Sequence, residues 1–430
     1  MSVETHLFDS GLKVAVEQVP SSHTIAVNVM VGIGGLDETE AEAGLSHLLE
    51  HCVHKQTDVF PDQETRLDYE KEYQYLSGAV TTPMHTLYYA RGVQLEPMLR
   101  GLASQVATPA LRDEHVAEEV AVVTREAKMN LDNPVARSYF AVHQHLFNSP
   151  YSRPVIGYWQ KLGYSGEDVR AYFHKAYSLG EIAVVATGKA SMAEVVESVD
   201  RYLEQSPLAD HSADSAPRYA NLPNRLLGQS GRYGILGDQH NNVYLQVVHP
   251  MDDKLRNIYF GDERFAYYIA SNILGSSVAK SLREDRQLSY DGEYWVANDD
   301  HPATWRVGAS VTCEPLKIED ALEAFDEGVT GVLKLDERKL RLELQAAEGF
   351  ALQSLDDISS LAARITSSIE YDVEPLSAAE TVAIYKRLTP DKVAEALQHL
   401  VAAYNNTEKY IFVGGDEEAL EGYPIIAPTL

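Results

Sequence analysis

Two stretches, Ile25-Ala-Val-Asn-Val-Met-Val31 and Val243-Tyr-Leu-Gln-Val-Val248, alternate apolar and polar residues as half-buried strands do, and each opens one half of the chain. The two halves also close alike. In the first, Ser165-Gly-Glu-Asp-Val169 begins a helical pattern, followed by the apolar strand Ile182-Ala-Val-Val-Ala186 and Gly188. In the second, Thr389-Pro-Asp-Lys-Val393 begins a helix, followed by Tyr410-Ile-Phe-Val413 and Gly414-Gly415. Ser165 and Thr389 are natural helix N-caps, and Pro390 suits a first helical turn. Between the halves runs EQSPLADHSADSAPRYANLPN, rich in Pro, Ser, Ala and Asp. This pattern predicts an N-terminal domain over 1–208, a linker over 209–225 and a homologous C-terminal domain over 226–430. The expected class is α+β: two α/β-sandwich domains in tandem, each a mixed or antiparallel sheet with helices.

Composition narrows the function. A chain of 430 residues exceeds a single ordinary core, and 45% hydrophobic residues suffice to bury two. The net charge of -28 argues against nucleic acid, whose phosphates an acidic surface repels. No apolar run reaches the ~18 residues of a membrane span, and the first residues lack a secretory signal. Only Cys52 and Cys313 occur, a usage that fits a reducing cytoplasm.

The candidate chemistry begins at His47-Leu-Leu-Glu-His51, in a segment that reads as helix. Residues at i and i+4 share a helical face, so both imidazoles can approach one cation. Glu50 projects near the same face, within reach of a water held there. Zinc suits this set, because nitrogen and carboxylate oxygen are its habitual ligands and a catalytic site leaves one position for water. Downstream, Asp113 to Asn130 is an unbroken helical pattern starting at a plausible N-cap, with Val120, Val122 and Val123 marking a partly buried face. Glu119 and Glu126 lie two turns apart on it. Each can point into the same site, one as ligand and the other orienting water or an imidazole. Two histidines on an exposed helix also arise by accident, and so do surface glutamates.

These residues resemble the pitrilysin/insulinase family of zinc peptidases, which carries the inverted motif H-x-x-E-H and includes mitochondrial processing peptidase and small bacterial members. The similarity runs through most of the chain, with Leu12 to Val16, Gly32, Glu38, Gly44 and Leu45 matching the approach to the motif. The resemblance implies that His47, His51 and Glu126 bind zinc, that Glu50 is the general base and that Glu119 assists. Asn272 to Tyr290 is similar to the family's second signature, which implies substrate-binding roles for Arg283 and Tyr290. Gly78-Ala79-Val80-Thr81 resembles the edge strand that pairs with substrate, with Ala79 and Thr81 matching. The family closes a chamber from four such domains, and this chain supplies two. The resemblance therefore implies a dimer, a homodimer by its possession of both residue sets, with a heterodimer of related subunits as the other arrangement. The implied activity is endopeptidase action on short or unfolded peptides; a non-catalytic peptide-binding or scaffold subunit is the competing reading.

Several positions depart from the family pattern. The Asn of the edge strand is missing, Met84 replaces a Glu, Cys52-Val-His54-Lys-Gln56 replaces an apolar stretch, and Gln287 stands where Gly is usual. His85, His115, His240 and His249 lack companions at ligand spacing and read as structural. No Gly-x-Ser-x-Gly elbow occurs, and Cys52 beside a candidate ligand makes a poor nucleophile.

Overall fold

The computed structural model describes residues 2–158, 160–211, 228–237, 242–251, 258, 261–289, 292–297, 304, 306–354, 356–406 and 408–429. Most of the expected linker, together with Tyr290 and His240, lies outside the described residues. Each half folds around its own six-stranded sheet. The first contains β1 (Glu4–Leu7), β2 (Lys13–Gln18), β3 (Ile25–Val31), β4 (Tyr75–Thr81), β5 (Thr86–Gly92) and β6 (Ile182–Gly188), in spatial order β1-β2-β6-β3-β5-β4. The second contains β7 (Gly231–Leu236), β8 (Val243–Pro250), β9 (Glu293–Ala297), β10 (Arg306–Cys313), β11 (Tyr410–Gly415) and β12 (Ile425–Ile426), in order β12-β7-β11-β8-β10-β9. Both sheets are mixed: β2 runs parallel to β6, and β7 to β11, while the central pairs are antiparallel. The α+β class expected from the pattern is the class observed.

The helices repeat with the strands. In chain order they are α1 (Leu45–Val53), α2 (Gln63–Glu72), α3 (Leu95–Ala107), α4 (Asp113–Asp132), α5 (Pro134–Leu146), α6 (Gly166–Ala176) and α7 (Met192–Val199). The second half adds α8 (Arg264–Lys280), α9 (Ile318–Gly331), α10 (Glu337–Ser354), α11 (Ile358–Glu370), α12 (Ala378–Arg387) and α13 (Pro390–Asn406). The starts of β2, β3 and β4 recur 218 residues later in β7, β8 and β9 (13 to 231, 25 to 243, 75 to 293). The starts of α4, α5 and α6 recur 224 residues later in α10, α11 and α13 (113 to 337, 134 to 358, 166 to 390). Ser165 caps α6 as expected, its hydroxyl accepting from the Asp168 N–H while the Asp168 carboxylate accepts from the Ser165 N–H. Asp113 is not the cap of α4; Arg112 takes that place without a side-chain bond, and Asp113 is the first helical residue, where its charge favours the helix dipole.

One expectation about β3 needs correction. Its residues are buried on both faces, not alternately. The face expected to meet solvent is covered by α11 from the other half, where Ile358, Ala362 and Ile365 pack on Ala15, Ala26 and Val185. The small residues on the strands let the helix sit close. Asn28, the polar member of the stretch, donates from Nδ2 to Thr366 Oγ1 at 2.9 Å, and Thr187 Oγ1 donates to the carbonyl of Ile358 at 2.6 Å. The exchange is reciprocal. Ala141, Val142 and Leu146 of α5 pack on Ile235, Val248, Tyr410 and Phe412 of the second sheet, and Arg137 Nη1 donates to the carbonyl of Leu236 at 2.8 Å. Each half thus lends one helix to the other's sheet.

Thr366→Val leaves the buried Asn28 amide without its acceptor and should lower unfolding free energy by about 1–3 kcal/mol. The double variant Asn28→Leu/Thr366→Val should recover part of that loss. Urea denaturation of the four chains measures it; strictly additive losses would contradict the pairing.

Candidate metal centre

The site is built on α1, which has only nine residues. Its apolar face, Leu45, Leu48, Leu49, Cys52 and Val53, is buried in the first core, which leaves the opposite face for His47, Glu50 and His51. Its start is held by Glu38, whose fully buried carboxylate accepts from the Gly44 N–H at 2.9 Å and from the Ser46 N–H at 2.7 Å. Burial pushes the Glu38 carboxyl up to about 7, against the pull of those two N–H groups and of Arg153. Gly44 takes φ of 91°, and a Cβ there would lie 2.8 Å from the Gly157 Cα, so glycine is required on both counts. Ser46 and Tyr172 share a hydroxyl bond of 2.7 Å that ties α1 to α6.

On the open face the two imidazoles stand edge to face, with ring centroids 4.7 Å apart. Glu126, from α4, reaches between them: its Oε2 lies 3.9 Å from His47 Nε2 and 3.6 Å from His51 Nε2. One ligand atom from each of the three residues falls within 4.8 Å of the other two. Glu119, two turns earlier on α4, sits behind His51, its Oε2 3.0 Å from His51 Nδ1. That contact leaves Nε2 of His51 facing Glu126. Lys55 Nζ holds the other oxygen of Glu119 at 2.8 Å. Glu50 lies beside the cluster, accepting from Thr81 Oγ1 at 3.2 Å and standing 3.8 Å from His54 Nε2.

The electrostatics follow from this layout. Burial, helped by the neighbouring His51, pushes the His47 imidazole below its ordinary pKa and favours the neutral, ligating form. Burial acts the same way on His51, but the bond to Glu119 and the carboxylates of Glu50, Glu119 and Glu126 outweigh it, and its pKa rises. For Glu50 burial pulls upward; contact with His54 and the charges of His47, His51 and His54 prevail and hold the carboxyl below its ordinary range. Cys52 is buried, and its thiol is pushed up to about 12 by burial and Glu119, which removes it as a nucleophile. The donor set of two imidazoles and a carboxylate fits zinc, with room left for water. Beside His47 and Glu126 opens a cavity of about 250 Å³ walled by Leu36, Tyr139, Phe140 and Ile156.

The other expected residues fall in two places. Ala79 and Thr81 lie on β4, which is the outer strand of its sheet and pairs among the described residues only with β5. Arg283 is exposed in the turn Ser281–Asp285 that ends α8, in the second half and outside the three-residue cluster. Gln287, four residues on, takes φ of 55°, the conformation that explains why glycine is the usual residue there. Lys55 was not singled out as a site residue from the sequence; His54, three residues from His51, reads there as a contact of metal or substrate but more readily as a supporting histidine, and Glu38 only as part of the approach to the motif.

The fold and the cluster together place an inverted His-x-x-Glu-His motif, with a donor set that could hold a metal ion, on a duplicated α+β scaffold. Residues 13–157 match the model of the insulinase family, Peptidase family M16, and residues 164–337 match its companion, the Peptidase M16 inactive domain. The chain belongs to this family. It is 25% identical over 399 residues to an uncharacterized zinc protease of Streptomyces coelicolor, covering 89% of this chain and 84% of that one. It is 24% identical over 338 residues to human cytochrome b-c1 complex subunit 1, mitochondrial, covering 74% of this chain and 67% of that one. In fold it is similar to a protease from Helicobacter pylori, with a TM-score of 0.79 at 16% identity over 96% of this chain and 99% of that one. It also matches the first half of the periplasmic protease PqqL from Escherichia coli, with a TM-score of 0.73 at 16% identity over 98% and 93%.

Glu38→Ala orphans two buried N–H groups at the start of α1 and strips Arg153 of a carboxylate. It should cost about 2–4 kcal/mol of stability, read from urea denaturation. A loss below about 0.5 kcal/mol would contradict the role given to this cap.

Proposed function

We propose that this chain is a zinc-dependent endopeptidase in which His47, His51 and Glu126 hold the metal and Glu50 is the general base. The observation that carries the reading is the convergence of these three ligand atoms with an ionised Glu50 beside them. Zinc, when bound, supplies Lewis acidity and brings the pKa of a water to ~7. With the metal held by the three ligands, Glu50, ionised and accepting from Thr81 Oγ1, would take a proton from water and return it to the leaving amine. Glu119 fixes the His51 ring through Nδ1 and is a positioning residue, itself held by Lys55.

The substrate backbone adds to the free edge of β4, alongside Ala79 and Thr81, in an extended form that only short or unfolded peptides supply. Arg283 and Tyr290 grip the substrate carbonyl and the developing oxyanion. In this reading they belong to a second copy of the chain, because the family's chamber takes four such domains, with the Arg/Tyr pair facing the metal from the opposite side, and this chain supplies two. Two chains then close one chamber, as a homodimer with two sites.

Glu50→Gln should keep about one zinc per chain by metal analysis while lowering kcat on a quenched peptide library by at least ~100-fold. His51→Ala should lose both metal and activity. Full activity in the Glu50 variant would contradict the mechanism.

Mixing inactive Glu50→Gln chains with inactive Arg283→Ala chains should restore roughly a quarter of wild-type activity, since half the exchanged dimers are mixed and each has one complete site of two. No recovery despite proven exchange would contradict the shared site and leave a related, different subunit as the partner.

A further inference from the structure

The repeat allows the metal site to be located at its counterpart in the second half. Between β3 and β4 the offset of 218 carries Leu45, the first residue of α1, to Glu263, the cap of α8. The same offset places Phe265, Tyr268 and Ile269 where His47, Glu50 and His51 stand. Along α4 and α5 the offset of 224 places Phe350 where Glu126 stands and Arg364 where Phe140 stands. Four of these five counterparts share one cavity. Phe265, Tyr268, Phe350 and Arg364, joined by Arg264 and Thr381, line a space of about 330 Å³. The first half's cavity is lined by His47, Glu126 and Phe140. The second half keeps the hollow and changes its chemistry.

That chemistry is the inverse of a cation site. No His, Cys, Asp or Glu lines the cavity; two guanidinium groups do. Arg364 Nε and Nη2 are buried and make no hydrogen bond among the described residues. The facing carboxylate, Glu17, lies 3.7 Å from Nη2, beyond hydrogen-bond reach, and its other oxygen accepts from the Ala378 N–H at 2.7 Å. Arg264 lies over the Phe265 ring at 5.0 Å, and Asp262 is the carboxylate that acts on it. Thr381 is 4% exposed, and its hydroxyl also lacks a partner among the described residues. The cavity is lined by both arginines and by Thr381, the donor types that recognise an oxyanion. Phe350 and Tyr268 are exposed by 69% and 55%, an apolar rim beside the charged floor.

We propose that this cavity binds an oxyanion, a carboxylate or a phosphate, carried on an apolar body. Arg264, Arg364 and Thr381 hold the anion, and Phe265, Tyr268 and Phe350 hold the apolar part. The site is separate from the metal centre and stands whether or not that centre is catalytic.

Calorimetric titration of the full chain with 3-phenylpropionate and with phenyl phosphate tests it, and the tighter of the two identifies the anion. Binding should weaken at least ~10-fold in Arg264→Gln, and should weaken also for 3-phenylpropanol, which lacks the charge. Phe350→Ala, at an exposed position that folding tolerates, should weaken it ~3-fold or more. Arg364→Gln should abolish binding, but it strips buried Glu17 of its cation, so the other two variants keep the test valid if it fails to fold. Binding should persist in His51→Ala, which removes the metal centre. Absence of binding by both anions, binding unchanged in Arg264→Gln, or binding lost only in His51→Ala would overturn the proposal. Inorganic phosphate binding as tightly as phenyl phosphate would overturn the apolar half of it.

Discussion

A nine-residue helix must hold two imidazoles still, and most of the first half exists to meet that demand. A peptide helix of this length is unstable alone in water. Here α1 is fixed at its start by the buried Glu38 carboxylate, at its side by the Ser46–Tyr172 bond, and beneath by its own leucines. The close approach of Gly44 to Gly157 brings the following loop against the same end. Only then can α4 present Glu126 to both rings and Glu119 to the back of one. The chain of support runs outward from His51 through Glu119 to Lys55, so the orientation of the His51 ring is set by a half-buried cation two contacts away.

The second half answers a different demand. Its sheet repeats the first strand for strand across the shared five, yet the face corresponding to the metal site carries aromatic rings and guanidinium groups. The two halves are not independent bodies. Because α5 covers the second sheet and α11 the first, neither sheet is buried on both faces by its own half. That exchange ties the halves together through two further apolar clusters, one beneath α5 and one beneath α11.

Much of this was legible in the residues. The periodicity of the strands, the capping box at Ser165 and the i, i+4 histidines all report local geometry, which adjacent residues determine. That Glu119 and Glu126 share one face was legible in their seven-residue spacing; which of the two meets both rings came only from the family resemblance. What periodicity could not report was who covers whom. The stretch from Ile25 to Val31 reads as half-exposed, and its second cover comes from α11, more than 300 residues away in sequence. Lys55 reads as a departure from a family pattern, and its contact with Glu119 depends on how α1 packs against α4. The counterpart cavity was likewise invisible, because its residues match no motif and only the repeated positions of the elements bring them into register.

The central claim is that His47, His51 and Glu126 converge on one zinc ion. Anomalous diffraction at the zinc edge from crystals of the zinc-loaded chain tests it most directly. The account predicts one dominant peak, about 2.0–2.2 Å from Nε2 of both histidines and from an oxygen of Glu126, with Glu119 remaining on His51 Nδ1. A peak elsewhere with this cluster empty, or coordination that leaves Glu126 out, would contradict it.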